Sequence, residues 1–169
     1  AMFFADLALR AEGYGILPPY DHVILDEAHM IEDVASEHFG VSFSESQVRF
    51  LLSALYQPRT GKGFLTTLDG PMVDRAVGQL GEVQQAANAL FDDLERYQQN
   101  TGRQNGRLTE PGIVHNSLSA PLEQLSLTLK MVRDKTKEEA DRFELNGYAG
   151  RCESAAGALK ALIDQTIAD

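Results

Sequence analysis

The chain has 169 residues, 43% of them hydrophobic, and a formal net charge of −10 from 25 acidic and 15 basic side chains. That length suits one domain, or a domain with a piece of another. The acidic balance excludes a protein that coats nucleic acid through a generally basic surface, though not one with a local basic stripe. Its one cysteine, Cys152, cannot build a disulfide framework or a cysteine-ligated metal site within the chain. A buried or half-buried thiol in a reducing, intracellular compartment is expected.

In chain order, residues 2–11 place Met2, Phe3, Ala5, Leu7 and Leu9 at helical spacing, leave Asp6 and Arg10 on the polar side, and meet a stop signal at Gly13. Asp6 interrupts the apolar opening, no basic leader precedes it, and no apolar run is long enough for a bilayer, so a soluble, cytoplasmic chain is expected. GYGILPPY, 13–20, reads as a loop punctuated by Gly13, Gly15 and the Pro18–Pro19 pair. His22, Val23, Ile24 and Leu25 predict a short buried strand, and MIEDVASEHF, 30–39, a helix or helical turn ending at Gly40.

The texture changes at Ser44, which with Gln47 makes a capping box ahead of VRFLLSALY, a helix ending near Tyr56. Residues 57–71 read as a loop, with Asp69 or Gly70 as cap and Pro71 at the first helical position of the next element. From 72 to 98, Met72, Val73, Ala76, Leu80, Val83, Ala87, Leu90, Phe91 and Leu94 recur at three and four residues and predict a long amphipathic helix, weakened at Gly78 and Gly81. The polar, glycine-rich stretch 99–112 reads as an exposed loop or small hairpin. Ser119 and Pro121 open a helix with Leu122, Leu125, Leu129 and Val132 on its apolar stripe, running to about Arg142. Residues 144–168 repeat the pattern through Leu145, Tyr148, Cys152, Ala155, Ala156, Leu159, Leu162 and Ile163, with NGYAG, 146–150, as a joint or kink. The expected fold is mainly α: a short α/β remnant over 1–40, then a helical bundle of about four helices over 41–169.

The chemistry concentrates in HVILDEAH, 22–29. An apolar strand that delivers two carboxylates at its end is how a P-loop ATPase brings acids to a magnesium nucleotide. The plainer reading is that Asp26, Glu27 and Asp33 begin a helix, where acids suit the positive end of the dipole. Bare DEAH is a weak signal; DEAH directly after an apolar strand, itself after a proline loop, is a stronger one.

The stretch 5–36, ADLALRAEGYGILPPYDHVILDEAHMIEDVAS, resembles the surroundings of motif II in the DinG-like and XPD-like superfamily-two DNA helicases. The resemblance covers about a fifth of the chain; the rest matches in position and helical texture. It implies that residues 41–169 are the helical insertion called the arch, and that the chain is part of a longer helicase. It also implies Asp26 for magnesium, Glu27 for the attacking water and His29 for coupling hydrolysis to movement on single-stranded DNA. ATP and Mg2+ would be used by the intact parent, whose phosphate-binding loop and any iron–sulfur cluster would lie upstream. TGKG, 60–63, does not supply that loop: the position five residues before Gly61 is Tyr56, and Gly63 stands where Ser or Thr is needed. The chain alone is therefore expected to be inactive.

Lys130, Arg133 and Lys137 share one helix face, with Lys135 and Arg142 nearby and Arg103 and Arg107 in the polar loop. Such a stripe could follow a single-stranded DNA backbone; the favoured reading for the isolated module is a solvated face in which Asp134, Glu138, Glu139 and Asp141 pair with the bases. Tyr97 and Tyr148 are candidate stacking platforms, and Phe91 and Phe143 are expected to fill core. His22, Asp26, His29 and Asp33 lack a fixed metal-ligand spacing, so no dedicated site is expected. Two rivals stand beside the helicase reading: a non-enzymatic acidic helical module that binds another protein, and a small metal-dependent hydrolase using Asp26, Glu27 and His29. The orphaned strand and leading helix could drive an artificial homodimer.

Overall fold

The computed structural model describes residues 2–11, 13–39, 41–101 and 110–165, which divide into two compact units, Ala1–Ser42 and Phe43–Asp169. Among the described residues the structure is mainly α-helical.

In the first unit, α1 (Met2–Ala11) packs against α2 (Ile31–Phe39), and a short 3-10 turn, Ala28–Met30, precedes α2. The expected strand at 22–25 does not form: these residues have no regular structure, every residue from 21 to 30 is exposed, and Ile24 is 98% exposed. An apolar strand of this kind is held by sheet neighbours that take its backbone N–H and C=O groups and cover its faces. No described segment of the unit provides that pairing, so the strand edge expected to drive a homodimer is not formed either.

Asp6 corrects a second expectation. It does not lie on an exposed polar side; it is fully buried, because polar groups of α1 and of the 16–20 loop surround its carboxylate.

The second unit contains α3 (Glu45–Leu55), α4 (Pro71–Thr101), α5 (Ser119–Lys135) and α6 (Glu139–Asp164). The Ser44 capping box is present: its hydroxyl accepts from Gln47 N, and the Gln47 side chain accepts from Ser44 N at 3.0 Å. Pro71 opens α4, where its missing N–H costs nothing. Helix α5 packs against both α4 and α6, and α3 touches α4 and α6. Val48, Leu51, Leu52 and Leu55 of α3 meet Val73, Ala76, Leu80, Val83, Ala87 and Leu90 of α4 in one core, completed by the apolar stripes of α5 and α6. Cys152 lies in it, and burial pushes its thiol up to about 12. Leu65, on a 3-10 turn Phe64–Thr67 inside the expected loop, is also buried there.

The junction of the last two helices differs from expectation. Helix α5 stops at Lys135 rather than near Arg142, and 146–150 lies inside α6. Thr136 takes the stop: its N–H donates to Val132 O and Arg133 O, and its hydroxyl donates to Val132 O at 2.9 Å. A threonine that bonds back to the preceding turn competes with helix continuation. Charge favours the same break, because Arg133 and Lys135 occupy the last turn of α5 while Glu139 and Asp141 occupy the first turn of α6. The reversal stacks α6 on α5, fixed by hydrogen bonds from Ser119 Oγ to Ala156 O and from Ser126 Oγ to Ala149 O. Phe143 is 78% exposed and does not fill core, whereas Phe91 is half-buried and stacks on Phe43 with ring centroids 5.9 Å apart.

Candidate functional site at the acidic motif

The acidic motif occupies the exposed span between the 13–20 loop and α2. Asp26 Oδ1 accepts from the backbone N–H of Glu27, the next residue, at 2.9 Å. Glu27 follows in the left-handed region, φ 53 and ψ 49, and its carbonyl accepts from Met30 N at 2.9 Å to close the 3-10 turn. That backbone is uncommon for glutamate and costs roughly 1–2 kcal/mol relative to glycine. The turn brings His29 Nδ1 to 3.2 Å from Glu27 Oε2, an ion pair only when the imidazole is protonated. Both side chains are more than two-thirds exposed, so the contact is worth at most about 1 kcal/mol.

This geometry does not fit a magnesium nucleotide in the chain by itself. One Asp26 oxygen is engaged by its own turn, Glu27 leans on His29, and both lie open to water with no phosphate cradle beside them among the described residues. Among those residues, no group of three His, Cys, Asp or Glu side chains is placed to hold a metal ion. TGKG is engaged otherwise: Thr60 N and Gly61 N both donate to Gln57 O, and Lys62 O accepts from Gln57 N at 2.7 Å. The backbone N–H groups that a phosphate loop aims at its ligand are here turned into a tight turn.

The basic residues do not form an open stripe. Lys130 Nζ pairs with Glu153 on α6 at 2.5 Å, which lowers the Glu153 pKa. Arg133 pairs with the adjacent Asp134 at 2.8 Å and donates to Asn146 Oδ1 at 2.8 Å. Lys135 and Lys137 stand exposed at the α5–α6 turn, beside a cavity of about 270 Å3 that Asp69, Glu138 and Asp141 also line. Arg103 and Arg107 lie outside the described residues. Tyr148 is half-buried, packed against Phe64 and under Arg151, and Tyr97 is half-buried. The cross-helix partner Glu153 was not legible in sequence, because it lies 23 residues from Lys130 and only the α5–α6 register joins them.

No described helix is long and apolar enough to cross a membrane. No family model and no solved structure matches the chain. It is similar to two curated proteins, ATP-dependent DNA helicase YoaA of Haemophilus influenzae and ATP-dependent DNA helicase YoaA of Escherichia coli K12, each 42% identical over 48 residues. That stretch is 28% of this chain and only 8% of each relative's length. The chain thus contains a helicase-related region.

Proposed function

We propose that the chain is part of an ATP-dependent DNA helicase of the DinG-like and XPD-like type, with motif II of the motor within residues 1–40 and the arch-like helical module over 41–169. The observation that carries this reading is the 42% identity over 48 residues to ATP-dependent DNA helicases, taken with the DEAH sequence of Asp26–His29. In the whole protein Asp26 serves the magnesium ion of ATP, Glu27 the attacking water, and His29 the coupling of hydrolysis to movement on single-stranded DNA. The helical module helps to form the passage for that strand. In this chain alone the acids are exposed and lack a phosphate cradle among the described residues, so it has no ATPase or unwinding activity of its own.

The test has two arms. The chain alone, given ATP, magnesium and single-stranded DNA, turns over no ATP above background. The longer gene product carries GxxxxGK[ST] before residue 1 and shows DNA-stimulated ATP hydrolysis that Glu27→Gln abolishes. An open reading frame without that motif, or hydrolysis untouched by Glu27→Gln, refutes the reading.

A further inference from the structure

We propose that Asp6 is a positioning residue for the acidic motif: its carboxylate fixes the 16–20 loop, and with it the point from which residues 21–29 leave the body of the first unit. Both oxygens of this fully buried group are engaged. Oδ1 accepts from Ile16 N at 2.6 Å and from Leu17 N at 2.7 Å. Oδ2 accepts from Arg10 Nε at 2.6 Å and from Tyr20 Oη at 3.2 Å. Arg10 then reaches over the same loop. Its Nη2 donates to Leu17 O at 2.7 Å and Pro18 O at 3.3 Å, and its guanidinium lies 5.0 Å from the centroid of the Tyr20 ring. Phe3 meets that ring from α1 at 5.8 Å between centroids.

One carboxylate and one guanidinium, a turn apart on α1, therefore satisfy the polar groups of a loop that has no regular structure of its own. Hydrogen bonds to an ionised acceptor are the strong ones, and four converge here. Pro18 and Pro19 stand between the attachment at Leu17 and the attachment at Tyr20, and their fixed φ stiffens the intervening backbone. Beyond Tyr20 the chain is exposed until α2, which packs against α1. The acidic motif is thus carried on a span with two anchors, the Asp6 cluster at one end and α2 at the other. Releasing the first anchor leaves Asp26–His29 tethered from one side only.

The geometry is that of this chain; its consequence for ATP hydrolysis rests on the helicase reading. The test is a set of amide spectra of the chain and of two variants, Asp6→Asn and Tyr20→Phe, with hydrogen exchange followed residue by residue. In the unaltered chain the Ile16 and Leu17 amide protons resonate downfield, as donors to an ionised carboxylate do. In Asp6→Asn that displacement disappears, both amides exchange at least about tenfold faster, as expected when a charge-assisted hydrogen bond is lost, and the amide signals of Asp26–Met30 move. Tyr20→Phe removes one donor of four and shifts the same residues by less, which keeps the test open if Asp6→Asn unfolds the unit. Changes confined to residues 5–20 in both variants overturn the proposal and leave Asp6 as a local loop fastener. In the longer protein, Asp6→Asn lowers kcat for ATP and leaves KM unchanged. A longer protein without ATPase activity refutes the helicase reading, while the spectra still decide the positioning role.

Discussion

Gly63→Ala is the most informative single change to the helical unit. Gly63 ends the tight turn that follows α3, with φ at +143. A Cβ there would stand 2.5 Å from Leu55 O, 2.6 Å from Tyr56 Cα and 2.8 Å from Leu55 C. All three are backbone atoms at the end of α3, and a backbone cannot swing aside as a flexible side chain can. The positive φ costs roughly 1–3 kcal/mol for alanine, and forcing the close atoms apart adds roughly 1–3 kcal/mol. About 4 kcal/mol in total is a large part of the roughly 5–15 kcal/mol that holds a domain folded. Urea unfolding followed by far-ultraviolet circular dichroism measures it. With a slope of about 2 kcal/mol per molar, the midpoint falls by about 2 M. Gly61→Ala is the control: its φ is +61, nothing lies within 4 Å of the added Cβ, and only the backbone term of about 1 kcal/mol applies. Equal midpoints for the two variants would refute the steric argument and place the need for glycine at 63 in the backbone angle alone.

Leu129→Ala, at a fully buried position on α5, lowers the unfolding free energy by about 3 kcal/mol in the same urea experiment. Gly78→Ala on α4 and Gly157→Ala on α6 act the other way: both sites are exposed with no neighbour within 4 Å, and each change stabilises by roughly 0.5–1 kcal/mol, read as a higher midpoint. The Asp6 carboxyl is held at about 2 instead of its ordinary 3.8, chiefly by the Arg10 hydrogen bond, against an opposing effect of burial and with help from the Leu17 and Ile16 amides and the Tyr20 hydroxyl. A depressed carboxylate contributes stability that is complete above its ordinary value and is lost as pH falls through the lowered one. The Ile16 and Leu17 amide signals therefore hold down to about pH 3 and collapse near pH 2, with Arg10 the cation that faces the group. Fluorescence anisotropy of labelled single-stranded DNA shows weak binding by the chain: with Lys130 and Arg133 already paired, the exposed Lys135 and Lys137 contribute about −1.4 to the log–log salt slope, and a slope steeper than about −3 means that further cations are recruited.

Most of the helical bundle was legible because its apolar residues repeat at the helical period. Val73, Ala76, Leu80, Val83, Ala87 and Leu90 of α4, and Leu122, Leu125, Leu129 and Val132 of α5, were all read as core and are all buried. The Ser44 capping box and Pro71 were legible for a local reason, since both signals lie within one turn of the element they start. The α5–α6 boundary was misread because no glycine or proline marks it, while Gly147 and Gly150 offered a joint further on; the informative signal was the change from basic to acidic residues around Thr136. Phe143 was assigned to core by residue type, although only the direction of its helix face decides exposure.

In the segment around the acidic motif the geometry was not legible, and the two failures there share a cause. Val23, Ile24 and Leu25 are strand formers, but a strand is a property of pairing, and propensity supplies no partner. Asp6 was placed on a polar face because helical periodicity treats an acid as a surface residue. What buries it is a contact with residues ten to fourteen positions later, outside any helical window. Both failures are explained by what the 13–29 segment meets. The loop meets a charged side chain of α1 that can satisfy its amides, and becomes fixed. The span beyond Tyr20 meets no sheet among the described residues, stays exposed, and turns its carboxylates onto its own backbone and histidine. A sheet edge that pairs 22–25 would supply the backbone partners that these residues lack among the described residues and would cover Ile24.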